Sequence, residues 1–317
     1  MKTKILTASA VALVACAISV ALLRPGSADK PSSPTPPIIR AAHRDTAPVH
    51  SKNLLARWAP LADDSLSREE RINLTDSIDE RLTEAETNYL FDLLSRTPRS
   101  GTENDWWVVM NGIMEQMRKN ASAPATYTPR MAALIQDPAT QEIARDYAIQ
   151  HLAQWIAPAG ADISPGEADT QKAAAALQAI AATIVDPARA SDSSSGTAIM
   201  ALVDASSRLP TETTAAAWQS LEPFITSAIP GTDPSIGRTL RISAIHAAGI
   251  RRISTHLPAI RTLATQESTD PSVRLSSIAA LGFYADPADR PYLESLSTGT
   301  TKFRHAAQAA LTRETHL

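Results

Sequence analysis

Arg241-Ile-Ser-Ala-Ile-His-Ala-Ala-Gly249 and Arg274-Leu-Ser-Ser-Ile-Ala-Ala-Leu-Gly282 are one phrase written twice, 33 residues apart. The segments that follow keep the same offset: Leu257-Pro-Ala-Ile-Arg-Thr-Leu263 aligns with Arg290-Pro-Tyr-Leu-Glu-Ser-Leu296. A later copy opens at Arg304, 30 residues on, and an earlier one at Arg145. Counted from the arginine, positions +3, +4 and +7 are small or apolar: Ala244, Ile245 and Ala248, then Ser277, Ile278 and Leu281, then Ala148, Ile149 and Leu152. That spacing is one face of a helix. A lone helical pair cannot cover such a face, so successive pairs must stack. The phrase therefore predicts an all-α solenoid.

Composition agrees. The 317 residues hold 56 Ala against 11 Gly, and 4% are aromatic. Ala is the best helix former, and a sheet lacks its turn and face residues here. An all-β fold is excluded. Helices are expected over 68–79, 84–96, 103–119, 128–136, 139–156, 167–185, 196–208, 212–229, 234–250, 257–266, 271–284, 288–297 and 301–313. Ser67 with Glu70, Thr83 with Glu86 and Ser164 with Glu167 have capping-box spacing. Asp-Pro at 137, 233, 270 and 286 reads as a helix opening, with Asp capping free amides and Pro lacking one. Asp186-Pro187 reads as a helix end.

Asp270-Pro-Ser-Val-Arg274, Ala279-Ala-Leu-Gly282 and Asp286-Pro287 together resemble HEAT and HEAT-like repeats of the phycobilisome-lyase type. The resemblance covers 233–313 closely and 128–156 fairly, while between 158 and 230 the spacing departs from 33. In the last copy Gln308 replaces the apolar +4 residue, which suits a terminal cap facing water. The resemblance implies a protein-binding array. It also implies that Arg241, Arg274 and Arg304 form an internal ladder paired with neighbouring Asp.

The chain divides into an N-terminal segment at 1–28, a Pro-rich tether at 29–50 and a HEAT-like solenoid at 51–317. Lys2 and Lys4 precede an uncharged, mostly apolar run from Ile5 to Leu23, closed by Arg24. This is the layout of an export signal. Three readings stand: cleavage after Gly26-Ser27-Ala28, retention of residues 5–23 as a membrane anchor, or lipidation at Cys16 within Leu13-Val-Ala-Cys16. All three place the rest of the chain outside the cytoplasm, periplasmic or extracellular. Cys16 is the single Cys, which excludes intrachain disulfides and a multi-thiolate metal site. The tether, with Pro31, Pro34, Pro36, Pro37 and Pro48, favours extended states. Its His43 and His50 read as solvated.

Motif reading finds no zinc-protease, phosphate-loop, dinucleotide, nucleophile-elbow or calcium-loop pattern. No cofactor, metal site or catalytic residue is expected, and the chain reads as no enzyme. Ser193-Ser-Ser-Gly196 reads as a flexible turn ahead of a helix. Trp106 and Trp107 are adjacent on one helix, so one is expected to pack inward and one at a rim; inter-helix packing competes with stacking on a sugar or peptide. Charge is uneven. Nine cations face thirteen acids over 51–120, five face eleven over 121–229, and ten face seven over 230–317, nine of those ten being Arg. The acidic balance argues against nucleic-acid binding. Arg251, Arg252 and Arg261 are candidate partner-binding residues, since Arg takes carboxylate or phosphate in a bidentate grip. The expected function is a non-enzymatic exported scaffold or adaptor binding a protein or peptide. The alternatives are a binder of envelope carbohydrate or polymer through Trp106 or Trp107, or an accessory subunit of a lyase-like enzyme.

Overall fold

Helices begin where the sequence places its caps. Thr83 accepts the Glu86 amide at 3.2 Å while Glu86 accepts the Thr83 amide at 2.8 Å, the reciprocal pattern of a capping box. Ser67 and Glu70 repeat it at 3.2 and 2.8 Å. Asp270 accepts the amides of Ser272 and Val273, with Pro271 at the first helical position. The other Asp-Pro pairs behave differently. Asp137 ends a helix and Asp233 closes a local turn onto Ser235. The helices expected from 139 and 234 instead start at Glu142, capped by Gln141, and at Arg238. Asp286 opens a short 3-10 turn, Pro287–Asp289, that runs into the next helix. The run 193–196 is the first turn of a helix; a flexible turn was expected there.

A computed structural model describes residues 56–63, 65–76, 82–96, 103–119, 126–157, 167–186 and 193–314. The segment expected to direct export, with Cys16, the expected tether with His43 and His50, and the cap expected at Ser164 lie outside the described residues. What is described belongs to one unit, Val49–Leu317. Among the described residues there are helices and no strands, and no helix is long and apolar enough to cross a membrane.

The helices are α1 (Arg68–Asp76), α2 (Glu84–Leu94), α3 (Glu103–Lys119), α4 (Tyr127–Gln136), α5 (Glu142–Ile156), α6 (Glu167–Val185), α7 (Ser193–Ser206), α8 (Thr211–Ala228), α9 (Arg238–Ile250), α10 (Leu257–Thr265), α11 (Pro271–Tyr284), α12 (Arg290–Thr298) and α13 (Arg304–Glu314). The odd-numbered helices pack on one another in succession from α1 to α13 and form one layer. The even-numbered helices form the second. Within it α4, α6 and α8 pack in series. Arg130 joins α4 to Asp92 of α2, and Arg261 joins α10 to Asp289 ahead of α12. The fold is a two-layer helical repeat.

Small residues set the spacing of the odd layer at its C-terminal end. A Cβ on Gly249 would lie 3.0 Å from the Ala280 Cβ, and one on Gly282 would lie 2.5 Å from the Ala310 Cα. These are the repeated glycines of the opening phrase, and each faces the next odd helix. Ala244, Ala247, Ala248, Ala280, Ala307 and Ala310 are buried around them. The close approach buries apolar surface without long side chains. The last helix keeps Arg304, His305, Gln308 and Thr312 exposed, as a polar end cap requires.

Candidate functional site

The repeated arginines sit at one place in each pair, the fourth residue of α5, α9 and α11, and they do one job. Arg274 Nε donates to the Ala264 carbonyl at 2.9 Å. Arg241 donates to the carbonyls of Ile229 at 2.9 Å and Pro230 at 2.7 Å. Arg145 donates to Ile135, Asp137 and Thr140 carbonyls at 3.1, 3.1 and 2.6 Å. In each case the acceptors lie at or just past the C-terminal end of the preceding even helix. The last carbonyls of a helix have no intrahelical donors, and that end is the negative pole. A guanidinium satisfies both needs. The ladder is internal as expected at Arg241 and Arg274, and their donors go to carbonyls where Asp side chains were expected. Arg304 does not join it. Residues 301–303 form a turn where a first helical turn was expected, and Gln308, one turn further on, donates to the Ser297 carbonyl at 3.2 Å.

Of the three candidate partner-binding arginines, Arg261 pairs with Asp. It donates to both oxygens of Asp289, at 2.7 and 3.1 Å, and lies 2.6 Å from Asp286. These bonds, Asp289 first, raise its pKa. Its donors are committed to holding α10 against the start of α12.

Arg251 and Arg252 are placed differently. Arg251 lies over the Trp218 ring, 4.2 Å from its centroid, and this partial burial lowers its pKa. Trp218 is fixed in turn by Nε1 donating to Ser206 Oγ at 2.6 Å. Arg252 is exposed with φ 52°. Neither guanidinium has an ion pair or hydrogen bond among the described residues. The Trp218–Arg251 contact joins residues 33 apart, and no local spacing announces it.

Trp106 and Trp107 are both buried, at 4% and 8% exposed; the rim position expected for one of them is taken by Val108, at 41%. Trp107 forms one wall of a cavity of about 670 Å³, shared with Leu94, Leu134, Pro138, Asp137 and Gln141.

Two buried polar side chains, His151 and Tyr127, are not flagged by the sequence. His151 Nε2 lies 3.0 Å from Asn111 Oδ1. Burial, then the Arg118 charge, brings its pKa down to about 4. The ring is therefore neutral near pH 7. Tyr127, fully buried against Trp155 at 5.0 Å, has its phenol pKa pushed up by burial. Among the described residues no group of three or more His, Cys, Asp or Glu could hold a metal.

The sequence matches no protein-family model and no curated protein. Among solved structures it is similar to a designed armadillo repeat protein, with 17% identity over 72% of this chain and all of that one at a TM-score of 0.42. It is also similar to human deoxyhypusine hydroxylase in complex with glycerol, with 14% identity over 84% of this chain and 97% of that one at a TM-score of 0.30.

Proposed function

We propose that the protein is a non-enzymatic scaffold of HEAT-like repeats, exported by its N-terminal segment, that binds a protein or peptide partner on the surface of its odd layer. One observation carries this reading. Of the four large exposed apolar residues among the described ones, Val108 on α3, Ile143 on α5 and Leu275 on α11 stand on odd helices, and Val185 ends the even helix α6. Ile242, one repeat before Leu275 at the 33-residue offset, is half-buried at the same register of α9. An apolar position repeated along a layer suits an extended partner, whose side chains meet it at intervals.

The test is crosslinking in intact cells, with the mass of the mature N-terminus measured in the same sample. A stable partner should be captured by the wild type and lost from an Ile242→Asp/Leu275→Asp variant with an unchanged helical circular dichroism spectrum. If no partner appears, and a small molecule raises the melting point instead, the scaffold reading fails.

The Trp107 cavity supports a second reading, a binder of envelope carbohydrate. Its apolar wall and its Asp137 and Gln141 side chains could hold the two faces of a sugar. Saccharide titration of wild type and Gln141→Ala distinguishes it from the first.

A further inference from the structure

The cations of the last third divide by what they touch. Arg241 and Arg274 cap carbonyls, and Arg261 is held by two aspartates. Arg290 lies 2.9 Å from Glu294, Arg238 lies 3.6 Å from Asp270, and Arg313 covers the Phe283 ring at 4.4 Å. Lys302 and Arg304 are exposed at the start of α13. Arg251, over the Trp218 ring, and Arg252 are exposed neighbours on one turn, and neither has an ion pair or hydrogen bond among the described residues.

The turn that carries them is rigid. Ile253 N–H donates to the Ala248 carbonyl at 3.0 Å and Arg252 N–H to the Gly249 carbonyl at 2.9 Å. These are the two bonds of a Schellman motif, which puts Arg252 in the left-handed position that glycine usually fills. The equivalent residue one repeat later, Ala285, has the same conformation at φ 51°. A second tie is Tyr284, whose hydroxyl donates to the Ile253 carbonyl at 2.8 Å. Arg251 is held against an indole that is itself hydrogen-bonded. A guanidinium stacked on a ring keeps the N–H groups around its edge available.

We propose that Arg251 and Arg252 form a docking point for an acidic segment of the partner protein, its carboxylates gripped by the two guanidinium groups. This rests on the scaffold reading and goes beyond it by naming the partner's chemistry and the site that reads it. One fork held over an indole and a second carried by the fixed backbone of the same turn offer grips for two carboxylates. A nucleic acid needs a run of cations tracking its phosphates, whereas residues 51–229 carry 24 acids against 14 bases. An anionic membrane would need apolar anchors beside the cations. The large exposed apolar residues Val108, Ile143, Val185 and Leu275 all lie off this turn.

The test uses the full chain and a fluorescently labelled ten-glutamate peptide, with a ten-lysine peptide and phosphatidylserine vesicles as parallel probes. Arg251→Glu/Arg252→Glu is compared with Lys302→Glu/Arg304→Glu, which makes the same change in net charge on another turn. The first pair should weaken glutamate-peptide binding at least tenfold and the second no more than threefold. Arg251→Lys/Arg252→Lys, which keeps the charge and loses the forks, should fall between them. Equal losses from both charge reversals overturn the proposal, as does binding of the vesicles or of the lysine peptide in place of the glutamate peptide. So does wild-type self-association that the first pair abolishes, since the docked segment would then be the chain's own. If crosslinking still captures a partner with Arg251→Glu/Arg252→Glu, this site is wrong and the scaffold reading stands. If the wild type captures none, the scaffold reading itself fails.

Discussion

The two ends of the solenoid reach the same arrangement by opposite packing. From α9 to α13 the odd layer is joined by Gly249, Gly282 and a set of buried alanines. Around α1 to α5 the core is filled by Trp58, Trp106, Trp107, Met110, Met114, Met117 and, from α4, Met131, all buried. Small side chains fix a close helix spacing, so register is strict and the sequence repeats. Large, flexible side chains fill whatever space the helices leave, and methionine adapts most easily. Repetition in the sequence is then unnecessary. The front should be sensitive to loss of volume and the end to gain of it.

Truncation at the front is the strongest test. Trp58 is fully buried and donates to Glu86 Oε1 at 3.0 Å. Trp58→Ala is expected to cost about 4 kcal/mol, from the cavity and from a buried carboxylate losing a donor. Urea denaturation followed by circular dichroism checks it, and a loss under ~1 kcal/mol would mean that the front can collapse around the gap.

Acid is the next largest perturbation, and it acts at both ends, since burial brings the pKa of His151 at the front and of His246 in α9 down to about 4; the front contribution is read through His151. His151 is 5% exposed, and its folded pKa of about 4 lies below the unfolded 6.5. The unfolded chain therefore binds the proton first. The stabilising effect is complete above pH 6.5 and is lost as pH falls from 6.5 towards 4. Its size is about 3 kcal/mol. Melting curves at pH 7.5 and 4.5 should show this loss in the wild type and a smaller one in His151→Asn; equal losses would remove His151 as the cause.

Gain of volume should reverse the ranking of the two ends. Gly282→Ala drives a methyl into the backbone of α13 and should cost about 2 kcal/mol. At the front, a Cβ on Gly112 meets the Thr75 hydroxyl at 2.9 Å, a side-chain atom and not backbone. Gly112→Ala should cost about 1 kcal/mol or less. Paired denaturation of the two variants decides, and a reversed order would break the contrast.

The smallest effect concerns the ladder. Arg274→Ala removes one of two donors from the Ala264 carbonyl, which keeps the Tyr292 hydroxyl, and should cost about 1 kcal/mol or less. Arg145, 4% exposed and donating to three carbonyls, should cost more. Midpoints that do not differ would show that water replaces the guanidinium equally well at both places.

Much of the architecture is legible in the chain. Thr83–Glu86 and Asp270-Pro271 mark helix starts because a cap is a bond between residues two or three apart. Asp137 and Asp233 misled because the same bond also closes a turn at a helix end or in a loop. The family resemblance implied an internal ladder, which holds for Arg241 and Arg274 and fails for Arg304, and it did not give the acceptors. A backbone carbonyl leaves no mark in sequence, whereas an aspartate does, and that biased the expectation. Trp106 and Trp107 were expected to divide between core and rim because adjacent helical residues face about 100° apart. Both are buried because α3 is flanked by α1 and α5 in its layer.

The sequence by itself determined the helices, their order and the 33-residue beat of the last repeats. These follow from periodicity, capping and the small residues of one face, all of which act within a few turns. Only the tertiary structure decided which arginines are spent. Arg241, Arg261, Arg274, Arg251 and Arg252 look alike along the chain. Their difference lies in whether a helix end, an aspartate pair or an indole comes within reach, and that depends on how α8, α10 and α12 stack beside them.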